Sequence, residues 1–174
     1  MAAYLLNGAS TAGKTTIGNV LAERGYKVID TDETFGYYGN LATEKPVEFP
    51  GGDRVTAEWY AENNWIWDRQ KVKATLDEAD ETIFFCGGAM NETVFYPRFA
   101  KIFHLYLTPE ALIARNSQRE AGGHTNNPAK QERMLEFLKK SKEYASSLGM
   151  VVIDTSQGTP EASADEILGY INEA

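Results

Sequence analysis

Short apolar runs alternate with stretches of helical periodicity along this chain. The runs predict β-strands near residues 3–7, 27–30, 82–86, 101–107 and 150–154. Between them, apolar positions recur at helical spacing. Ile17, Val20 and Leu21 predict a helix from Lys14 to about Arg24, stopped by Gly25. Trp65, Val72, Leu76 and Ala79 fall on one stripe and predict a helix from about Asn64 to Ala79. Thr108 as N-cap followed by Pro109 predicts a helix to about Glu120. Met134, Leu135, Leu138, Ala145 and Leu148 mark a further amphipathic helix, and a last one from Pro160 buries Ala164, Ile167, Leu168 and Ile171. Such alternation predicts a parallel sheet covered by helices on both faces. Phe35 to Arg54 and Ala121 to Pro128 break the pattern and read as surface loops, where ligand contacts tend to sit.

The first strand runs directly into Gly8-Ala9-Ser10-Thr11-Ala12-Gly13-Lys14-Thr15, the GxxxxGK[ST] pattern of a phosphate-binding loop, with Thr16 next. The spacing follows from chemistry. Two glycines let the backbone curl around a polyphosphate so that successive amide N–H groups face its oxygens, and the following helix turns its positive end to the same place. Lys14 adds a point charge toward the β- and γ-phosphates. Thr15 offers a hard oxygen for Mg2+.

Length and composition narrow the class. At 174 residues the chain suits one domain over 1–174, with an acceptor-binding insertion at about 33–70 and a lid at about 120–130. A single cysteine, Cys86, excludes a disulfide framework and suggests a reducing compartment, so the cytoplasm is the expected location. With 17 basic and 25 acidic residues, the formal charge of −8 argues against a general nucleic-acid binder. The phosphate loop begins at residue 8, too early for a secretion signal before it, and no apolar run approaches the roughly 20 residues that span a bilayer.

Candidate chemistry gathers at the ends of the predicted strands. Asp30 and Asp32 alternate after the second strand, and the reading assigns Asp30 to Mg2+ and Asp32 to the acceptor hydroxyl, with capping of the next segment as the plain alternative for either. Cys86 stands where a motor ATPase would carry an acid, and Gly87-Gly88 would let backbone approach phosphate or acceptor closely. Asn91 and Glu92 could reach that pocket or cap a short helix. Arg115 and Arg119, four apart on one helix, are assigned to the adenine face and to the γ-phosphate. Arg54, Arg69 and Arg98 are candidates for an anionic acceptor, and His124 lies in the lid. Trp59, Trp65 and Trp67 could wall the acceptor pocket, with core the favoured place for Trp65, and His104 reads as a structural strand residue. The loop 155–159 could read the adenine edge through its backbone.

Together the loop at 8–15, the Asp30-Thr31-Asp32 pair, the Gly87-Gly88 turn and the Arg115/Arg119 helix resemble the small-molecule kinase branch of the P-loop fold. That branch includes adenylate and other nucleoside monophosphate kinases, shikimate kinase and gluconate kinase. The resemblance implies a three-layer α/β/α fold with a five-stranded parallel sheet in the order 2-3-1-4-5, and ATP and Mg2+ as cofactors for phosphoryl transfer to a small acceptor. Asp-x-Asp with a later Gly-Gly is similar to shikimate kinase, yet that family has three glycines in the turn and an acceptor arginine in a Phe-Arg setting, whereas Arg54 follows Gly-Asp. Adenylate kinases carry Asp-Gly where this chain has Cys86-Gly87, and a longer lid. Trp65-Ile66-Trp67-Asp68, Cys86 to Asn91 and Phe95 to Phe99 look more like adenylate-kinase-like bacterial proteins, and that likeness supplies no acceptor. The alternatives are a P-loop ATPase or nucleotide switch acting on a partner, or a 5'-end polynucleotide kinase. Neither Asn-Lys-x-Asp nor Asp-x-x-Gly occurs, which disfavours a GTPase.

Overall fold

The computed structural model describes residues 2–51, 55–118 and 128–172. Its elements run β1 (Ala3–Gly8), α1 (Lys14–Glu23), β2 (Lys27–Asp30), α2 (Thr31–Thr34), β3 (Gly36–Asn40), α3 (Ala57–Glu62), β4 (Asn63–Trp67), α4 (Arg69–Glu78), β5 (Ile83–Cys86), a 3-10 segment (Glu92–Arg98), β6 (Lys101–Tyr106), α5 (Pro109–Gln118), α6 (Pro128–Ser147), β7 (Val151–Asp154) and α7 (Pro160–Asn172).

Five strands form one sheet in the order β2-β5-β1-β6-β7, every pairing parallel. Counted as sheet strands alone, this is the expected 2-3-1-4-5. The chain builds from β1 outward to one edge and then to the other, so the crevice at the C-terminal end of β1 is a topological switch point, where open α/β sheets bind ligands. Alternation sorts the two cores. Tyr4, Leu6, Phe103 and Leu105 pack with Ile17, Leu21 and Ile167 on the side of α1 and α7, while Leu5, Ile83 and Phe85 pack with Phe35, Trp67, Val72 and Phe95 on the other. Both faces are covered, which is why these strands read as continuous apolar runs.

Local chemistry sets the boundaries. α1 ends at Gly25, whose φ of 89° allows Gly25 N to donate to Ala22 O at 2.9 Å and Tyr26 N to Leu21 O at 3.1 Å, a Schellman closure. Thr108 Oγ1 accepts from Ala111 N at 3.3 Å, as the N-cap reading expects.

The insertion differs from expectation. The predicted helix over 64–79 is a strand followed by a shorter helix: β4 pairs antiparallel with β3, Tyr38 opposite Trp65. Asp68 then caps α4 by accepting from Gln70 N and Lys71 N at 3.0 and 3.1 Å. The stripe of Trp65, Val72, Leu76 and Ala79 joined two elements because large aromatics fit a pleated surface as well as a helix face. Phe35 to Arg54 likewise contains β3 instead of being loop throughout. Tyr38 stacks on Phe49 at 4.3 Å between ring centroids and meets Trp59 and Trp65 edge-on, an aromatic cluster that holds the hairpin. No helix among the described residues is long and apolar enough to cross a membrane.

Candidate functional site

The loop at 8–15 begins at the end of β1 and feeds α1. Gly8 takes φ 139° and Gly13 φ 97°, and a Cβ on Gly8 would sit 2.4 Å from Leu105 O, so the first glycine is demanded by the close passage of β6. Thr11 adopts φ 70°, and its buried Oγ1 has no hydrogen-bond partner. At the head of α1, Gly13 provides no side-chain cap, leaving the first-turn N–H groups and the positive helix end open to an anion. Lys14 Nζ donates to Gly8 O and Ala9 O at 2.9 and 3.0 Å. Burial lowers its pKa, opposed by Asp32, Glu92 and Asp30.

Three adjoining cavities share these residues. One of about 260 Å3 lies among Thr11, Gly13, Thr16, Arg115, Thr155 and Gly158. A second, of about 300 Å3, is lined by Ser10, Thr11, Gly13, Lys14, Thr15, Thr16, Asp32 and Arg115. The third and largest, of about 550 Å3, extends from Ser10, Lys14 and Asp32 to Trp65, Glu92, Tyr96, His104 and Tyr144. The middle cavity therefore shares Thr11, Gly13, Thr16 and Arg115 with one neighbour and Ser10, Lys14 and Asp32 with the other.

The two aspartates part company here. Asp30 caps α2, its Oδ1 accepting from Asp32 N and Glu33 N at 3.0 and 3.2 Å, and it is not among the side chains lining these three cavities. The expectation that Asp30 faces the metal thus meets the capping alternative. Asp32 lines both the middle and the large cavity, and its Oδ1 accepts from Trp65 Nε1 at 3.0 Å. Burial raises the Asp32 pKa, opposed by that hydrogen bond and by Lys14. Trp65, expected in the core, is a pocket wall; Trp67 is the buried one, fully inaccessible.

Gly87 serves a different end from the one expected. With φ 155°, a Cβ there would fall 1.8 Å from Thr31 Oγ1, and that hydroxyl donates to Cys86 O at 3.2 Å. Its missing side chain lets the ends of β2 and β5 close on each other; Gly88, Ala89 and Met90 are the ones that reach the large cavity. Asn91 docks the hairpin, accepting from Trp67 N at 2.9 Å and donating to Trp67 O at 3.0 Å. Burial pushes the Cys86 thiol up to about 12.

Arg115 grips backbone. Its Nη1 donates to Thr11 O at 3.1 Å and its Nη2 to Thr155 O, while Thr155 Oγ1 lies 2.9 Å from Ala12 O. The phosphate loop and the β7–α7 loop are thereby joined across the first cavity. Arg119, Arg54 and His124 lie outside the described residues. Arg69 and Arg98 are engaged elsewhere: Arg69 makes a bidentate pair with Glu44, shortest contact 2.6 Å, and Arg98 pairs with Asp77 at 2.6 Å. Neither lines the three cavities.

Sequence reasoning passed over Asn7 and Tyr96 and took His104 for structure. All three line the large cavity. Glu92 Oε1 accepts from Asn7 Nδ2 at 2.9 Å and from Tyr96 Oη at 2.7 Å, Glu92 Oε2 accepts from Ala89 N at 3.0 Å, and Asn7 Oδ1 lies 3.0 Å from His104 Nδ1. Burial raises the pKa of Glu92 and Tyr96 and lowers that of His104. The signal was present: Asn7 follows an apolar run in β1 and His104 interrupts one in β6, and the two are register partners on neighbouring strands.

For Mg2+ the donor set is adequate only with help from a nucleotide. Thr15 and Asp32 offer hard oxygens in the middle cavity, and among the described residues no three His, Cys, Asp or Glu side chains form a metal cage. Mg2+ accepts that arrangement, since it keeps water and phosphate oxygens as ligands.

No family model and no curated protein matches the chain in sequence. Solved structures match along nearly all of it. A sugar kinase from a Janibacter species superposes with a TM-score of 0.60 at 20% identity, covering 99% of this chain and 95% of that one. Shikimate kinase from Bacteroides thetaiotaomicron gives 0.61 at 16% identity, with 98% of each chain covered. Deoxyadenosine kinase from M. mycoides with bound dATP gives 0.54 at 15% identity, covering 99% of this chain and all (100%) of the other. This chain has the fold of the P-loop small-molecule kinases.

Proposed function

We propose that this protein is an ATP-dependent phosphotransferase that passes the γ-phosphate of ATP to a small acceptor. One observation carries the reading: Lys14 and Asp32 stand in the wall between the phosphate cavity and the large cavity. A γ-phosphate held by the loop and an acceptor held beside Trp65 would meet at that wall, and phosphoryl transfer depends chiefly on such placement and on charge stabilisation. An enzyme that only hydrolysed ATP would have no use for a cavity of about 550 Å3 beyond Lys14.

Roles follow from position. The backbone of residues 8–15 and the open end of α1 would bind the polyphosphate; Thr11 Oγ1 and Lys14 would add side-chain donors. The smaller cavity between Arg115 and Thr155 would take the adenine, with Arg115 clamping the phosphate loop to the β7–α7 loop. Thr15 would hold Mg2+ together with phosphate oxygens and water, and Mg2+ would offset the charge that develops during transfer. Asp32, fixed through one oxygen by Trp65, would present the other to the acceptor hydroxyl and orient it. Arg119 and the lid around residues 120–130 remain assigned to the γ-phosphate and to excluding water.

ADP release measured over a panel of metabolites and nucleosides tests the reading. Release that rises with one acceptor supports a kinase; equal release with and without every acceptor marks an ATPase and overturns it.

A further inference from the structure

The large cavity presents hydrogen-bond acceptors at its floor. Tyr96 Oη and Ala89 N both donate to Glu92, and a carboxylate oxygen can only accept, so the Asn7 amide must turn its Nδ2 toward Glu92 Oε1. That orientation leaves Asn7 Oδ1 facing His104 at 3.0 Å. His104 Nδ1 therefore carries the proton, and Nε2 keeps a bare lone pair. His104 is 5% exposed, lines the cavity, and its Nε2 has no hydrogen-bond partner. A buried polar atom left without a partner calls for one.

Beyond neutral polar groups such as Ser10, Asn64, Thr93 and Ser141, the described wall carries acids and apolar surface. Asp32 and Glu92 are its carboxylates; Trp65, Met90, Phe137 and Tyr144 are its apolar surfaces. Among the described residues, Lys14 is its one Lys or Arg, and Lys14 is turned onto Gly8 O and Ala9 O in the phosphate loop. The two described arginines that could have met an anion, Arg69 and Arg98, are paired with Glu44 and Asp77. Among the described residues, a carboxylate or phosphate on the acceptor would lie against two acids with no matching guanidinium, a repulsion that grows where the acids are withdrawn from water, as Glu92 is. Aromatic walls, in contrast, suit the flat face of an uncharged ring.

We propose that the acceptor is an uncharged, hydroxyl-bearing ring compound, not a carboxylate or a phosphate ester, and that His104 Nε2 selects it by accepting a hydrogen bond from one of its OH or NH groups. This rests on the large cavity being the acceptor site of the proposed kinase. A site built to pair a donor rejects analogues that lack it far more strongly than an apolar pocket discriminates by size.

The test separates binding from transfer. Matched pairs, nucleosides against their 5'-monophosphates and ring sugars against the corresponding sugar acids, are titrated with ADP present and followed by ligand-observed NMR. The expected result is an uncharged member that binds at least about tenfold more tightly than its anionic counterpart, and a His104→Leu protein, folded by circular dichroism, in which that affinity falls about tenfold while ADP affinity holds. Tighter or equal binding of the anionic members, failure of every uncharged member to bind, or an unchanged affinity in His104→Leu would overturn the proposal. Failure of the kinase reading looks different: a compound binds as described and ADP release does not respond to it.

Discussion

Trp65 donates its indole N–H to Asp32 Oδ1 at 3.0 Å, tying the β3–β4 hairpin to the carboxylate that lines both the middle and the large cavity. The bond joins an element inserted between strands to the end of the sheet, so in the proposed kinase acceptor binding and acceptor orientation would depend on one contact.

Trp65→Phe keeps the aromatic wall and removes the donor. A hydrogen bond to a charged group contributes about 1.5 to 3 kcal/mol, or roughly 10- to 100-fold. Turnover with a responding acceptor should fall within that range while ATP affinity stays within about twofold. Steady-state kinetics beside an ATP titration check the split; a loss confined to ATP affinity would remove Asp32 from the acceptor side.

Lys14→Ala should lower transfer by about 100-fold or more, the cost of deleting one preorganised charge-stabilising donor, with the fold retained. Among the described residues Lys14 bonds to backbone carbonyls of its own loop, so its loss removes no hydrogen bond to the core. A folded variant with near-normal transfer would contradict the role.

Glu92 titrates above the ordinary carboxylate range because burial disfavours its charge. The folded protein therefore holds that proton to a higher pH than the unfolded chain. The contribution of Glu92 is fully present below the ordinary value of about 4 and is lost as pH rises through the raised one. Compared with Glu92→Gln, the wild type should lose relative stability from about pH 4 upward, read from urea midpoints across pH. A difference that grows with pH would mean the carboxylate is stabilised in place.

Gly87→Ala should destabilise by about 2 to 4 kcal/mol, since strain at positive φ adds to overlap with a neighbour that cannot easily yield. The clash is with Thr31 Oγ1, 1.8 Å from the new methyl. Chemical denaturation measures it, and Thr31→Ser with Gly87→Ala should recover little, because the hydroxyl remains.

Much of the sheet was legible in the chain. Central strands covered on both faces are largely apolar, as β1 and β5 are, and the shorter apolar runs of β2, β6 and β7 sufficed as well, so all five announced themselves within a residue or so of their ends. The hairpin did not. In Asn63–Trp67 the aromatics are consistent with either period, and only pairing of Tyr38 with Trp65 makes the segment a strand. The loop at 8–15 was legible because backbone geometry and lysine spacing are local; the different surroundings of Asp30 and Asp32 were not. Alternation placed them on one side of an extended chain, but α2 begins at Thr31 and takes Asp30 as its cap.

By itself the chain of residues determined the loop at 8–15, the parallel α/β layering and the acidic, single-cysteine character, since each depends on neighbours in sequence or on totals. Tertiary structure alone decided which groups line the large cavity. Asn7, Glu92, Tyr96 and His104 come from β1, the 3-10 segment and β6, up to 97 residues apart, and become one hydrogen-bonded row only because β6 pairs beside β1. Arg69 and Arg98 left the candidate site for the same reason: a guanidinium's partner is chosen by where Glu44 and Asp77 lie in space, and spacing along the chain carries no record of that.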